Sequence, residues 1–222
     1  MTILKEGYPF IIPPLAAGLA LVIFSRFLAN VSFAANPLFA TNLSFAACVS
    51  LGIVLLIFAL FCVFFFRDPK IEITQGEKII LSPCNGTVLE LEEEENEKII
   101  RVFLSVFSVH LQRAPVDGTV IGVTHRDGKF LMAWDPRAQS VNEQNLITIQ
   151  GEDGVYVVRQ IAGFLARRCV SWVKPGGVLK AGDKIGMIKF SSQVDLHLPK
   201  SAAISVKPGD KVRAGITVVG TK

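Results

Sequence analysis

Three histidines, His110, His125 and His197, and one adjacent serine pair, Ser191-Ser192, are the residues of this chain best suited to proton transfer or nucleophilic attack. An imidazole titrates near neutral pH, and a serine hydroxyl becomes a useful nucleophile only when such a base stands beside it. In isolation the Ser-Ser pair means little. His110 sits in Val109-His110-Leu111, which reads as strand, His125 in the turn-like segment THRDGK, and His197 two residues after Asp195. Taken alone, each reads as structural. The acidic run Glu90 to Glu97 (ELEEEENE) lies between two strand-like segments, where bunched carboxylates usually form a solvated hairpin end. No P-loop, G-x-G-x-x-G or H-E-x-x-H is present, so nucleotide and zinc chemistry have no foothold, and no metal site is expected. Of four cysteines, Cys48 and Cys62 lie in an apolar stretch and Cys84 and Cys169 stand alone without C-x-x-C spacing, which reads as unpaired thiols in a reducing compartment.

The elements that must position these groups begin at Arg67. Beyond Pro69, short Val- and Ile-rich runs alternate with Gly, Pro, Asn and Asp: KIILS, GTVLEL, KIIRVFLSV, NLITIQ, VYVVRQI, KIGMIKF and ITVVG. These are strand signatures, and no later segment holds a helical period for long, so residues 67–222 are expected to form one mainly β domain, a sandwich or barrel-sandwich hybrid. A repeat marks its C-terminal part. VKPG at Val173 to Gly176 recurs at Val206 to Gly209, and LKAG at Leu179 to Gly182 recurs as VRAG at Val212 to Gly215, which suggests two related hairpins with glycine turns. Biotinyl and lipoyl carriers look similar at this level, but they require a lysine in an M-K-M or D-K-A setting, which is absent.

Before Arg67 the chain is of another kind. From Tyr8 to Phe66 the only charged residue is Arg26, and the mean hydropathy of the whole chain, +0.46, is carried by this end. Residues 44–66 are long enough to cross about 30 Å of hydrocarbon as a helix. Residues 10–28 form a second span or a re-entrant segment, weakened by Pro13, Pro14 and Gly18. Lys5 is followed at once by Glu6, unlike the basic start of a cleaved signal peptide, so residues 1–66 read as a retained anchor. Lys5 before the first segment and Arg67 and Lys70 after the second place both ends in the cytoplasm, at the inner membrane. The net charge of +4 suits an anionic lipid surface, but the basic residues form no run, and nucleic-acid binding gets no support.

The setting of the serine pair is more specific than the pair. GMIKFSSQVDLHLP resembles the processing site of short-form phosphatidylserine decarboxylases, which read G-M-I-K-F-G-S-R-V-D. The likeness continues in order through FFRDP (Phe65 to Pro69), LSPCNG (Leu81 to Gly86, where the family has S-P-A-D-G) and FLSVFSVHLQRAPVDG (Phe103 to Gly118). It goes on through NEQN (Asn142 to Asn145) and QIAGFLARRCVSWVKPG (Gln160 to Gly176). The resemblance implies self-cleavage between Ser191 and Ser192. In that chemistry Ser192 Oγ attacks the Ser191 carbonyl, an N-to-O acyl shift gives an ester, and elimination leaves a dehydroalanine that hydrolyses to a pyruvoyl group with loss of ammonia. Decarboxylating an amino acid leaves a carbanion that no ordinary side chain delocalises, so some cofactor is obligatory, and a pyruvoyl group can be made from serine. The implied product is phosphatidylethanolamine, made at a membrane by two fragments that remain associated. An archaetidylserine-type substrate and homo-oligomerisation both stay open.

The resemblance also assigns His110 as the base for Ser192 and as a later proton carrier. Two departures fall at the site. Ser191 replaces glycine but leaves the same carbonyl to attack; Asn85 replaces the aspartate that would orient or charge the histidine, and an amide can do only the first. A processing-deficient, non-catalytic homologue is therefore the alternative reading. Asp195 is the other candidate for the missing carboxylate, and Arg113, where long-form relatives carry a second histidine, is a candidate contact for a carboxylate or phosphate. His197, close to the cut, is a weaker secondary candidate.

Overall fold

The computed structural model describes residues 1–35, 40–129, 131, 138–163, 168–189 and 192–222, side chains of 28–35, 40–44, 138, 139 and 192 excepted. The chain divides into two compact units, Met1–Pro69 and Lys70–Lys222.

The first unit is a pair of helices, α1 (Tyr8–Ala35) and α2 (Ala40–Phe65), with a two-residue strand pair, β1 (Thr2–Ile3) and β2 (Arg67–Asp68), joining its ends. Lys5–Phe27 and Phe45–Phe65 are long and apolar enough to cross a membrane. Pro13 and Pro14 do not interrupt α1. The carbonyls they deprive of a helical donor, those of Pro9 and Phe10, fall in its first turn, where the loss is local. The helices meet at two glycines. A Cβ at Gly18 would stand 3.0 Å from the Gly52 carbonyl oxygen, and one at Gly52 would stand 2.9 Å from Val22 Cγ2, so only small residues allow this approach.

Among the described residues the second unit holds fourteen strands: β3 (Ile79–Leu81), β4 (Gly86–Glu93), β5 (Glu97–Leu104), β6 (Leu111–Arg113), β7 (Gly118–Arg126), β8 (Gln144–Gln150), β9 (Val155–Ala162), β10 (Cys169–Ser171), β11 (Val178–Leu179), β12 (Lys184–Ile188), β13 (Ser192–Pro199), β14 (Ala203–Ile204), β15 (Lys211–Val212) and β16 (Val218–Thr221). A short helix, α3 (Ala138–Val141), precedes β8. The fold is mainly β, as the sequence implies, and all seven runs read from it contribute strands. Two long strands escaped that reading. One is β7, which takes His125 out of its expected turn; the other is β13, whose alternation of Gln193, Asp195 and His197 with Val194, Leu196 and Leu198 is a period-2 pattern.

Eight strands form one curled antiparallel sheet in the order β11-β7-β8-β9-β13-β5-β4-β15, flanked by the three-stranded sheets β10-β12-β6 and β14-β16-β3. These orders are symmetric about the β9–β13 pair. Gly209 N–H donates to the Val88 carbonyl as Gly176 N–H does to Val120, each at 2.8 Å, and Leu81 N–H reaches the Pro115 carbonyl at 2.9 Å as Arg113 N–H reaches Pro83 at 2.8 Å. β16 meets β3 with Gly220 opposite Ile80, just as β12 meets β6 with Gly186 opposite Gln112, and both pairings carry a bulge at the same place. The unit is thus two copies of one motif, β3–β5 with β13–β16 and β6–β8 with β9–β12, around an approximate two-fold. The repeat read from the sequence belongs to this duplication, and the VKPG copies lie at opposite edges, β11 against β7 and β15 against β4. Turn glycines are repeated too, with Gly176, Gly182, Gly209 and Gly215 at φ of +87°, +89°, +93° and +70°.

One sheet face is the core. Val194, Leu196 and Leu198 of β13 pack there with Ile100, Val102 and Leu104 of β5 and with Val158 and Ala162 of β9, all at most 1 % exposed. Burial of this size is the main term holding the sheet together.

Candidate active site

The two copies differ at one end of the sheet. In one, β8 runs into β9 through a tight turn closed by Gly151 N–H donating to the Gly154 carbonyl at 2.9 Å. In the other, the equivalent strands β5 and β13 are not joined. Leu104, the last residue of β5, lies opposite Ser192, the first of β13, and on its other side Ser192 faces Ala162, the last of β9. The chain leaves β5 into residues 105–110 and reaches β13 from the end of β12. Both connections therefore meet the sheet at the same end, and one carries the histidine and the other leads to the serine.

His110 immediately precedes β6 and is 1 % exposed. Its Nδ1 is 2.9 Å from the Ser108 carbonyl, which can only accept, so the neutral ring carries its proton at Nδ1 and leaves Nε2 as the basic nitrogen. Ser108 N–H closes the supporting turn on the Ser105 carbonyl at 2.9 Å. The His110 carbonyl accepts from Ile188 N–H at 3.2 Å and from Gln112 Nε2 at 2.8 Å. Ile188 is four residues before Ser192, so His110 is fastened to the strand that feeds the serine. Ser191 lies outside the described residues.

Asn85 has a different neighbour. Its Oδ1 accepts from Ala214 N–H at 2.9 Å, holding the last repeat turn. At the related place in the other copy, Asp117 Oδ1 accepts from Ala181 N–H at 2.7 Å. The segments match residue by residue, Ser82-Pro83-Cys84-Asn85-Gly86 against Ala114-Pro115-Val116-Asp117-Gly118, so an acceptor at this position serves the scaffold in both copies. Burial of the Cys84 thiol in the core pushes its pKa up, and the charge of Asp195 adds to the shift.

Asp195 is fully buried on the reverse face of β13 from Val194 and Leu196. Gln193 Nε2 donates to its Oδ1 at 2.6 Å; its Oδ2 stands 3.9 Å from Arg101 Nε on β5 and 3.7 Å from Arg159 Nη1 on β9. Burial pushes the Asp195 pKa up, while Gln193 and the two guanidinium groups pull it down. Arg101 continues the row to Glu90 at 2.7 Å and to Glu92. This charged row lies across the sheet on the face opposite Val194 and Leu196, whereas the His110 carbonyl is tied to Ile188 and Gln112. His197, on the same face as Asp195, pairs through Nδ1 with Glu97 at 3.0 Å. Arg113 Nη1 donates to the Gly182 carbonyl at 2.7 Å, within the repeat turns. His125 bonds Asn145 Oδ1 at 2.7 Å and Asp127 Oδ1 at 3.2 Å, which together favour its charged form.

The NEQN segment surrounds the open end. Asn142 Nδ2 donates to the Ala162 carbonyl at 2.7 Å, and the Glu143 carbonyl accepts from Ala162 N–H at 2.9 Å, so both hold the residue that faces Ser192. Glu143 Oε1 accepts from Cys169 N–H at 2.9 Å. Sequence reasoning noticed this motif and gave it no role; four adjacent amides and carboxylates entering a strand were the available signal. A cavity of about 680 Å³ near Ile73 to Ile79, Asp117 and Lys180 contains none of these site residues.

The family model for phosphatidylserine decarboxylase matches residues 58–220. The chain belongs to the phosphatidylserine decarboxylase family. It is 44 % identical over 178 residues to the phosphatidylserine decarboxylase proenzyme of Carboxydothermus hydrogenoformans, covering 77 % of this chain and 84 % of that one. The proenzyme of Syntrophus aciditrophicus is 36 % identical over 227 residues, covering 99 % and 97 %, and that of Geotalea uraniireducens 38 % over 226 residues, covering 98 % and 95 %. As a member of the phosphatidylserine decarboxylase family the chain is a carboxy-lyase, and the two latter matches include its apolar helices.

Proposed function

We propose that this chain converts phosphatidylserine to phosphatidylethanolamine through a pyruvoyl group made from Ser192 when the chain cuts itself between Ser191 and Ser192. The observation that carries the reading is the open end of the sheet, where Ser192 starts the central strand opposite Leu104 and the His110 carbonyl is fastened to Ile188. The fit to such a group is good. A cut before Ser192 leaves the new terminus on a residue held by β5 on one side and β9 on the other, so its position does not depend on the severed bond. The released piece, residues 192–222, supplies β13, β15 and β16, which pair with β5 and β9, with β4 and with β3; the fragments therefore stay together as one core.

When present, the pyruvoyl ketone supplies the electron sink that decarboxylation needs. The rest falls to the chain's own residues. His110, with its Nδ1 proton committed to Ser108, offers Nε2 to the Ser192 hydroxyl before cleavage and is the proton carrier for the reacting carbon afterwards. Asn142 and Glu143 hold Ala162, the wall facing residue 192. The apolar helices keep the catalytic unit at the cytoplasmic face of the inner membrane, where a lipid headgroup is at hand.

Intact mass and lipid turnover test the reading. Cleavage with pyruvoyl formation loses ammonia and gains water, and processed protein in vesicles is expected to convert labelled phosphatidylserine; processed protein that leaves both phosphatidylserine and archaetidylserine unchanged refutes the enzymatic reading. One residue favours the alternative of a non-catalytic homologue, since Asn85 brings no charge. That reading requires a single uncut polypeptide.

A further inference from the structure

A line of buried carboxamides crosses the core behind His110. His125 Nδ1 meets Asn145 Oδ1 at 2.7 Å, Asn145 Nδ2 donates to Gln160 Oε1 at 3.1 Å, Gln160 Nε2 donates to Gln112 Oε1 at 2.8 Å, and Gln112 Nε2 donates to the His110 carbonyl at 2.8 Å. Every bond runs in one direction, each N–H donating toward His110. Gln112 and Gln160 are fully buried and Asn145 is 4 % exposed. Taking an amide out of water is unfavourable unless each of its groups is satisfied, and an apolar side chain of similar size avoids that cost.

The other copy of the motif shows what the scaffold needs at these places. Gln112 lies opposite Gly186 on β12, and its counterpart opposite Gly220 on β16 is Ile80. Gln160 pairs with Asn145, and the matching pair in the other copy is Leu198 with Lys98. Ile80 and Leu198 are buried apolar residues of the core. At the places of Gln112 and Gln160 the same backbone is thus built with aliphatic side chains in the copy that lacks the histidine, so these two amides are not a demand of the fold. The glycine at 186 is a demand of the backbone, since a Cβ there would stand 2.2 Å from the Val170 carbonyl oxygen, as one at Gly220 would stand 2.6 Å from that of Ala203; it would also press on Gln160 Nε2 at 2.9 Å.

We infer that Gln112, backed by Gln160 and Asn145, is a positioning residue: the amide line fixes the His110 carbonyl, and with it the imidazole that serves Ser192. This rests on the role given to His110 above. The test uses the full chain in micelles. Gln112→Ile with Gln160→Leu installs the side chains of the other copy; the double variant is expected to keep a cooperative melt and to release the 192–222 fragment about tenfold more slowly or worse. In a Ser192→Ala background, the ring ¹⁵N signals of His110 are expected to change from a single Nδ1–H tautomer to a mixture. Gln112→Glu supplies a second arm. A protonated carboxyl can replace the amide toward both Gln160 and His110 and an ionised one cannot, so fragment release relative to the parent is expected to fall as pH rises. An unchanged His110 tautomer, release within twofold of the parent in a folded double variant, or a Gln112→Glu ratio that does not depend on pH overturns the inference. Absence of cutting in the parent would instead overturn the role of His110 and Ser192, while the ¹⁵N signals still report whether the line positions the ring.

Discussion

The closed and open ends of the curled sheet are the same backbone put to two uses. At the closed end β8 turns directly into β9, with Gly154 at φ +152° and Tyr156 Oη donating to Asp153 Oδ2 at 2.6 Å. At the open end β5 and β13 are not joined by a turn, and the chain leaves β5 into residues 105–110. A hairpin end has all its backbone groups committed to one short loop, whereas an open end lets two distant segments converge without strain on either strand. That is the physical opportunity for a base and a nucleophile to meet. Neither pairing of β13 runs through the bond before Ser192, so the cut proposed there would leave the sheet paired.

The largest effect separating the two ends is expected from the groups found only at the open one. Ser192→Ala should abolish the 192–222 fragment on a gel, and His110→Ala should slow its appearance by about a hundred- to ten-thousandfold, while both proteins keep the parent melting temperature within a few degrees. Next comes position 85. Asn85→Asp keeps the bond to Ala214, as Asp117 shows with Ala181, and adds the charge that the family pattern carries. If that charge stabilises the His110 imidazolium, fragment appearance should rise by about thirty- to a thousandfold in a quench time course. An unchanged rate would confine position 85 to the turn, as at 117.

A smaller effect should appear only at the closed end. Gly154→Val forces a β-branched residue to φ +152°, with its Cβ 2.7 Å from Pro199 Cγ, and should cost about 1–3 kcal/mol by denaturant melts without altering the cleavage rate. Smallest is the pH response of His125. Its pKa is raised, first by the bond to Asn145 and then by Asp127, against a lowering from burial. Its contribution to stability is therefore full below about 6.5 and lost as pH rises through the raised value. The melting-temperature advantage of the parent over His125→Gln should shrink across that window; an advantage independent of pH would mean the imidazolium contributes nothing.

Much of the molecule is written in local pattern. Two uninterrupted apolar stretches specify helices long enough for a bilayer, alternating Val and Ile runs specify strands, and the order of motifs from FFRDP to SSQVD identifies the family. These signals depend only on near neighbours in the chain, so they survive without a fold. Strand partnership does not: β13 pairs with β5 across some ninety residues, and although the alternation in SQVDLHLP marks its apolar face, nothing local says which strands will stand on either side of it. Only the tertiary structure could set Asp195 between two arginines, Asn85 beside Ala214, and Asn145, Gln160 and Gln112 in line behind His110. Residue type and spacing limit what chemistry a chain can attempt. Which of its polar groups face one another is decided by long-range register, where a shift of one residue would exchange the two faces of the strand.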